Sequence, residues 1–197
     1  MNTESIFRIV TALLLVTALF ISGYFRRKAE REGGALRTPD GNRLVVILRL
    51  MALLVVLPLF GYLINPDWVA WARFALPDWP RWTAAGVAVA LIPVMVWIFA
   101  SIGKNISATH ETRQEHTLVT HGPYRWVRHP LYSVGFLFAV ALTVITALWW
   151  LAVGMILPLF VLLLRTTKEE AKLIETFGDK YRDYMKRTGR FFPKLVR

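Results

Sequence analysis

The chain has 197 residues, 55% of them hydrophobic and 19% charged, with a formal net charge of +11 and no cysteine. A soluble domain of this length is usually nearer ~45–50% apolar and ~25% charged, so the composition points to a membrane, and the length allows one compact domain. Without cysteine there are no disulfides, thiol nucleophiles or cysteine-ligated metals.

The first apolar run, Ile6–Phe25, carries only Arg8 and is followed by 26-RRKAER-31. A cleaved signal has its positive charge before the apolar core, so this run reads as a retained first span. Leu44–Ile64 is the second, with Arg49 near its start, where the long stem can snorkel to the interface. Thr83–Ile102 is uncharged, and Pro93 predicts a kink.

The last run, Pro130–Leu164, is uncharged throughout. As one helix it would reach about 50 Å, beyond a ~30 Å hydrocarbon core. Two short arms with a turn near 146-TALWW-150 are expected instead. The expected fold is therefore an all-α integral membrane protein with five transmembrane helices, the last two a tight hairpin. Residues 1–102 would form three N-terminal spans. Residues 103–197 would form a core of loop, hairpin and interfacial C-terminal helix, within one structural domain overall.

Basic residues cluster in 26-RRKAEREGGALRTPDGNR-43 and after Arg165, whereas 65-NPDWVAWARFALPDWPRW-82 is rich in tryptophan and proline. The positive-inside rule then puts the N-terminus outside and the C-terminus in the cytoplasm. The scattered basic residues suit the anionic headgroups of a lipid bilayer, and no nucleic-acid partner is expected. The loop 103–129 and the tail from Arg165 share the cytoplasmic face in this topology.

Those two stretches hold most of the polar chemistry. In 116-HTLVTHGPYRWVRHPLY-132, Gly122-Pro123 is a turn signal, and Pro130 suits a helix start. A helix N-terminus offers free N–H groups to a carboxylate or phosphate, although plain contact with lipid headgroups explains the same residues. The spacings of His110, His116, His121 and His129 match no common zinc pattern, so no metal is expected. In 165-RTTKEEAKLIETFGDKYRDYMKRTGRFFP-193, Arg165 is followed four and five residues on by Glu169 and Glu170. Apolar residues at helical spacing predict an interfacial helix over Ala171–Met185.

The ordered set HxLVxxGxY, RHPxY, a hydrophobic hairpin, EE and FGxxYxxY, from about Gly103 to Pro193, resembles the isoprenylcysteine carboxyl methyltransferase family. That family is related to membrane phospholipid N-methyltransferases. The resemblance implies S-adenosylmethionine as cofactor, and the chain carries no GxGxxG fingerprint of a soluble nucleotide-binding fold. It places His116, Thr117, Leu118, Val119, Tyr124, His129, Pro130, Leu131 and Tyr132 around the cofactor. Glu169 would pair with the cofactor's ammonium group, with Glu170 adjacent, and Arg165 would face a lipophilic methyl acceptor. A carboxylate acceptor needs orientation and no base. An amine or thiol would need a proton sink, and a non-enzymatic membrane protein keeping the same scaffold stays a third alternative.

Overall fold

The computed structural model describes residues 2–33, 42–103 and 118–194. Among these residues six α-helices follow in chain order: α1 (Thr3–Gly33), α2 (Asn42–Ile64), α3 (Asp78–Ile102), α4 (Pro130–Thr146), α5 (Trp149–Phe177) and α6 (Asp179–Arg187). Short 3₁₀ turns occupy Pro66–Ala72 and Gly122–Arg125, and among the described residues no strand forms. The fold is all-helical.

Among the described residues three helices are long and apolar enough to cross a membrane, over Thr3–Glu32, Asp78–Ile102 and Trp149–Phe177; Ala52–Ile64 and Pro130–Thr146 are shorter apolar helices. The outer faces carry exposed Leu19, Phe20, Leu57, Phe60, Ile156 and Phe160. Apolar surface on that scale is stable only against hydrocarbon. The protein is an integral membrane protein.

Several helices run past the ends expected from hydropathy. α1 continues through the basic segment to Gly33, where Lys28 and Glu32 stand one turn apart at 3.9 Å. Its 31 residues reach about 46 Å. α3 passes through Pro93 without interruption.

The main core joins α1, α3 and α4 through Phe7, Leu14, Ala88, Ile98, Phe138 and Ile145. Ala84, Ala85 and Ala88 line the buried stripe of α3, and such small side chains let helix backbones approach closely. A second cluster joins α2, the first 3₁₀ turn and the start of α5 through Leu59, Tyr62, Val69, Leu148 and Leu151.

One end of the bundle is tied by a buried polar knot. Arg81 on α3 donates to Glu4 of α1 at 3.0 and 3.1 Å and to the Ile145 carbonyl of α4 at 2.7 Å. Arg73 and the Tyr62 hydroxyl also donate to Glu4, each at 2.6 Å. Only Ala147 and Leu148 separate α4 from α5, with Ala147 left-handed at φ 54, inside the stretch where the turn is expected. Because this knot holds the C-terminus of α4, the Pro130 end of α4 and the Ile102 end of α3 lie at the other end of the bundle.

The C-terminal part departs from expectation. Spacing predicts one helix over Ala171–Met185, but α5 runs on to Phe177 and stops at Gly178, whose φ of 56 is left-handed. Glycine takes that conformation without a Cβ penalty, and its N–H closes on the Ile174 carbonyl at 2.8 Å. The chain then turns into α6, which buries Tyr181 and Tyr184.

Candidate active site

Beyond Leu164 the uncharged part of α5 is over, and its last turns carry Arg165, Glu169 and Glu170 out of the apolar layer. Facing them is the loop before α4. Gly122 starts its 3₁₀ turn at φ 58, and a Cβ there would overlap Ser101 Oγ at the end of α3. Glycine is what lets the loop close on α3. Tyr124 is buried in this turn, His129 is the buried N-cap residue of α4, and Pro130 opens the helix.

The tail folds back as a strap along this loop. Val127 and Gly189 form a parallel bridge. Gly189 N–H donates to the Trp126 carbonyl at 3.0 Å, Arg128 N–H to the Gly189 carbonyl at 2.9 Å, and His129 N–H to the Arg190 carbonyl at 3.0 Å. Ser133 Oγ adds a bond to the Phe191 carbonyl at 2.6 Å. A Cβ on Gly189 would run into the Phe192 carbonyl, so the tight turn demands glycine.

Loop, strap and α5 meet at Glu170, whose side chain is 8% exposed. Oε1 accepts from Arg128 Nε at 2.7 Å and lies 3.3 Å from His129 Nε2; Oε2 lies 2.8 Å from Arg190 Nη2. Burial alone would raise this carboxyl, but the bonds from His129 and Arg128 and the charges of Arg128 and Arg190 outweigh it and hold it at about 2. Arg128 also donates to the Thr188 carbonyl at 2.6 Å.

Glu169 sits in a different environment. Burial pushes its carboxyl up, Glu170 adds to the rise, and the charges of His129 and Arg165 oppose it. Glu169 acts electrostatically on the hydroxyls of Tyr124 and Tyr132, and Arg165 acts on that of Tyr132. The Tyr132 ring stacks on His129 with centroids 5.6 Å apart and planes 8° from parallel. Thus Tyr124, His129, Tyr132 and Arg165 all lie within electrostatic reach of Glu169.

The remaining expected residues are more peripheral. Val119 and Leu131 pack on the core, Leu118 is half-buried, and Pro130 is buried. His116 and Thr117 lie outside the described residues, as do His110, Glu111 and Glu115. Among the described residues no group of three or more His, Cys, Asp or Glu is placed to hold a metal. Sequence reasoning passed over Arg128 and Arg190, which supply two of the three contacts to Glu170. RHP and TGRFFP were both visible, but nothing in their spacing shows that they meet.

An apolar groove of about 360 Å³ opens beside the cluster, between α4 and α5, lined by Tyr132, Gly135, Met155, Leu159, Leu163 and Phe192. Tyr132 belongs to both the groove and the polar cluster.

The fold and site together define an all-helical membrane protein with a charged, aromatic cluster at one end of the bundle, next to an apolar groove. Residues 82–175 match the Isoprenylcysteine carboxyl methyltransferase (ICMT) family. Over that region, just under half of the chain, the protein is similar to this family. It is 33% identical over 145 residues to the protein-S-isoprenylcysteine O-methyltransferase of Rattus norvegicus, covering 65% of this chain and 50% of that protein. It is 31% identical over 118 residues to a nickel-cobalt-cadmium resistance protein of Alcaligenes xylosoxydans xylosoxydans, covering 58% of this chain and 55% of the relative. A methanethiol S-methyltransferase of Pseudomonas deceptionensis is 39% identical over 74 residues, 38% of this chain and 28% of that enzyme. The chain spans about half the length of the curated relatives it matches over the longest stretches.

Proposed function

We propose that this protein is an S-adenosylmethionine-dependent membrane methyltransferase that O-methylates the carboxylate of an isoprenylcysteine-like lipophilic acceptor. The observation that carries this reading is that Arg165 and Glu169, one turn apart on α5, stand within electrostatic reach of Tyr132 on α4, which stacks on His129 and lines the α4–α5 groove. The donor set fits the cofactor, because a carboxylate and aromatic rings are what an ammonium and a sulfonium require.

Bound there, the cofactor supplies a methyl group activated by its sulfonium. Glu169 would pair with the ammonium, and Tyr124 and Tyr132 would hold the sulfonium, an aromatic face being worth about 0.5–2 kcal/mol to such a cation. Leu118, Val119, Pro130 and Leu131 would complete the cofactor's surroundings. Arg165 presents a forked guanidinium to the acceptor carboxylate, which is ionised at neutral pH, with a pKa of about 3.5, and gives up no proton. The acceptor's hydrocarbon chain lies in the groove, whose walls exclude water from the displacement.

In this reading α2 and α4 cross the bilayer as well, giving five spans with α4 and α5 as the hairpin. The N-terminus lies outside, and the active site and C-terminus lie in the cytoplasm. The support is the basic segment 26–31 at the site end of α1 and the tryptophans Trp68, Trp71, Trp79 and Trp82 at the other.

The test is calorimetric titration of detergent-purified protein with S-adenosylhomocysteine, followed by transfer of labelled methyl to S-prenylated N-acetylcysteine. Saturable binding and a label released by mild alkali are expected, since methyl esters hydrolyse there. No binding by folded protein would remove the methyltransferase reading. No transfer to this probe, together with an alkali-stable label on a lipophilic thiol or a phospholipid amine, would favour the second reading, which the methanethiol S-methyltransferase likeness supports. In that reading His116, His121 and His129 are the candidates for the proton sink that such an acceptor needs.

A further inference from the structure

We infer that Arg190 is a positioning residue of this site: by anchoring the outer oxygen of Glu170 it keeps that side chain turned away from the cofactor and assigns the ammonium group to Glu169. The inference rests on the methyltransferase reading above and concerns two adjacent residues of like chemistry.

Successive residues on an α-helix point about 100° apart, so Glu169 and Glu170 cannot both face one ligand cation unless a side chain swings round. Glu170 is prevented from swinging. Its Oε1 is taken by Arg128 and His129 and its Oε2 by Arg190 at 2.8 Å, in a setting where the carboxylate is almost fully buried. Arg190 itself is fixed from two sides. Its Nη2 also donates to Thr167 Oγ1, one turn earlier on α5, at 3.2 Å, and its main-chain carbonyl accepts the His129 N–H at 3.0 Å. One residue therefore registers α5 against the loop at the position where Glu169 must meet its ligand.

The strap that carries Arg190 has little freedom. Gly189 allows no Cβ, and the bridge to Val127 sets its offset from the loop. The earlier part of the loop is held by a separate bond, from Tyr184 to the Tyr124 carbonyl at 2.6 Å. Loss of Arg190 should therefore disturb the ammonium end of the cavity and leave the side around Tyr124 in place.

That asymmetry gives a test that a general loss of stability does not mimic. The full chain, purified in detergent, is titrated with S-adenosylhomocysteine and with 5′-methylthioadenosine, which keeps the nucleoside and sulfur but lacks the amino acid. Arg190→Ala is expected to weaken S-adenosylhomocysteine at least about tenfold, as for a lost charged hydrogen bond. It should change 5′-methylthioadenosine by less than about twofold. Arg190→Lys, which keeps a cationic donor, should recover most of the loss. If Arg190→Ala does not fold, Arg190→Gln carries the same comparison. Equal weakening of both probes, or undiminished S-adenosylhomocysteine affinity, overturns the positioning role. Failure of the unaltered protein to bind S-adenosylhomocysteine is a separate outcome and removes the methyltransferase reading, and this role with it.

Discussion

The Tyr184 hydroxyl donates to the Tyr124 carbonyl across 2.6 Å of buried space, joining α6 to the 3₁₀ turn of the loop. α6 contributes only nine residues, yet through this bond it fixes one wall of the candidate site. Tyr184→Phe removes the donor and leaves a buried carbonyl with one partner fewer, which should cost about 1 kcal/mol. The pH dependence follows from the same tyrosine. Burial raises it to about 12, with Arg128 opposing, so the folded state holds the phenolic proton more tightly than the unfolded state, which titrates near 10. This stabilisation is complete below pH 10 and is lost as pH rises from 10 through 12. Melting curves across that range should fall less steeply for Tyr184→Phe than for the parent, and identical slopes would remove Tyr184 from the alkaline transition.

The two glutamates of α5 should separate stability from binding. Glu170 is held down at about 2, below the usual 4.5, so it stabilises the fold above pH 4.5, and that contribution is lost as pH falls from 4.5 towards 2. Glu170→Gln should destabilise by about 2–3 kcal/mol, because the arginines around it keep their charge and lose their counter-ion. Glu169 is shifted upwards, chiefly by burial, so its charged form works against the fold. Glu169→Gln should leave the melting temperature unchanged or higher, while S-adenosylhomocysteine binding falls about tenfold or more. Equal destabilisation by both substitutions would contradict the division of roles.

Arg165 is the guanidinium assigned to the acceptor. Arg165→Ala should retain S-adenosylhomocysteine affinity within about twofold and reduce turnover by at least about 100-fold, the scale of losing one charge-stabilising donor. Loss of cofactor binding with an intact fold would move Arg165 to the cofactor side.

At the far end of the bundle, Arg81 is 4% exposed, donates to Glu4 and Ile145, and lies over the Phe7 ring at 3.8 Å. Arg81→Met leaves Glu4 with Arg73 and Tyr62 and frees the Ile145 carbonyl. A cost of about 3 kcal/mol is expected, with cofactor affinity unaffected in the protein that remains folded. A selective loss of affinity at constant stability would show that the two ends of the bundle are coupled.

Hydropathy alone located the apolar runs, because burying apolar surface against lipid depends on composition and length. The helical class, the start of α4 at Pro130 and the break between α4 and α5 were readable for the same local reasons: a proline at the first turn and a run too long for one helix. Ordered motifs also pointed to the family, since RHPxY and EE are each short unbroken runs that keep their order along the chain. The end of α5 was misread because Phe177 and Tyr181 keep helical spacing across Gly178, and periodicity does not register a left-handed residue.

The site's wiring was beyond the sequence. Arg128, Glu170 and Arg190 are spread over more than sixty positions, and their contact depends on the strap lying along the loop in one register. The same holds for Glu4 and Arg81, whose partners sit on different helices. Charges this far apart have many possible pairings, and only packing selects one. The sequence thus determined which runs must leave water and which motifs the chain carries. Tertiary structure decided how the two adjacent glutamates differ, because burial and partners, which set a carboxylate's behaviour, come from elements distant in the chain.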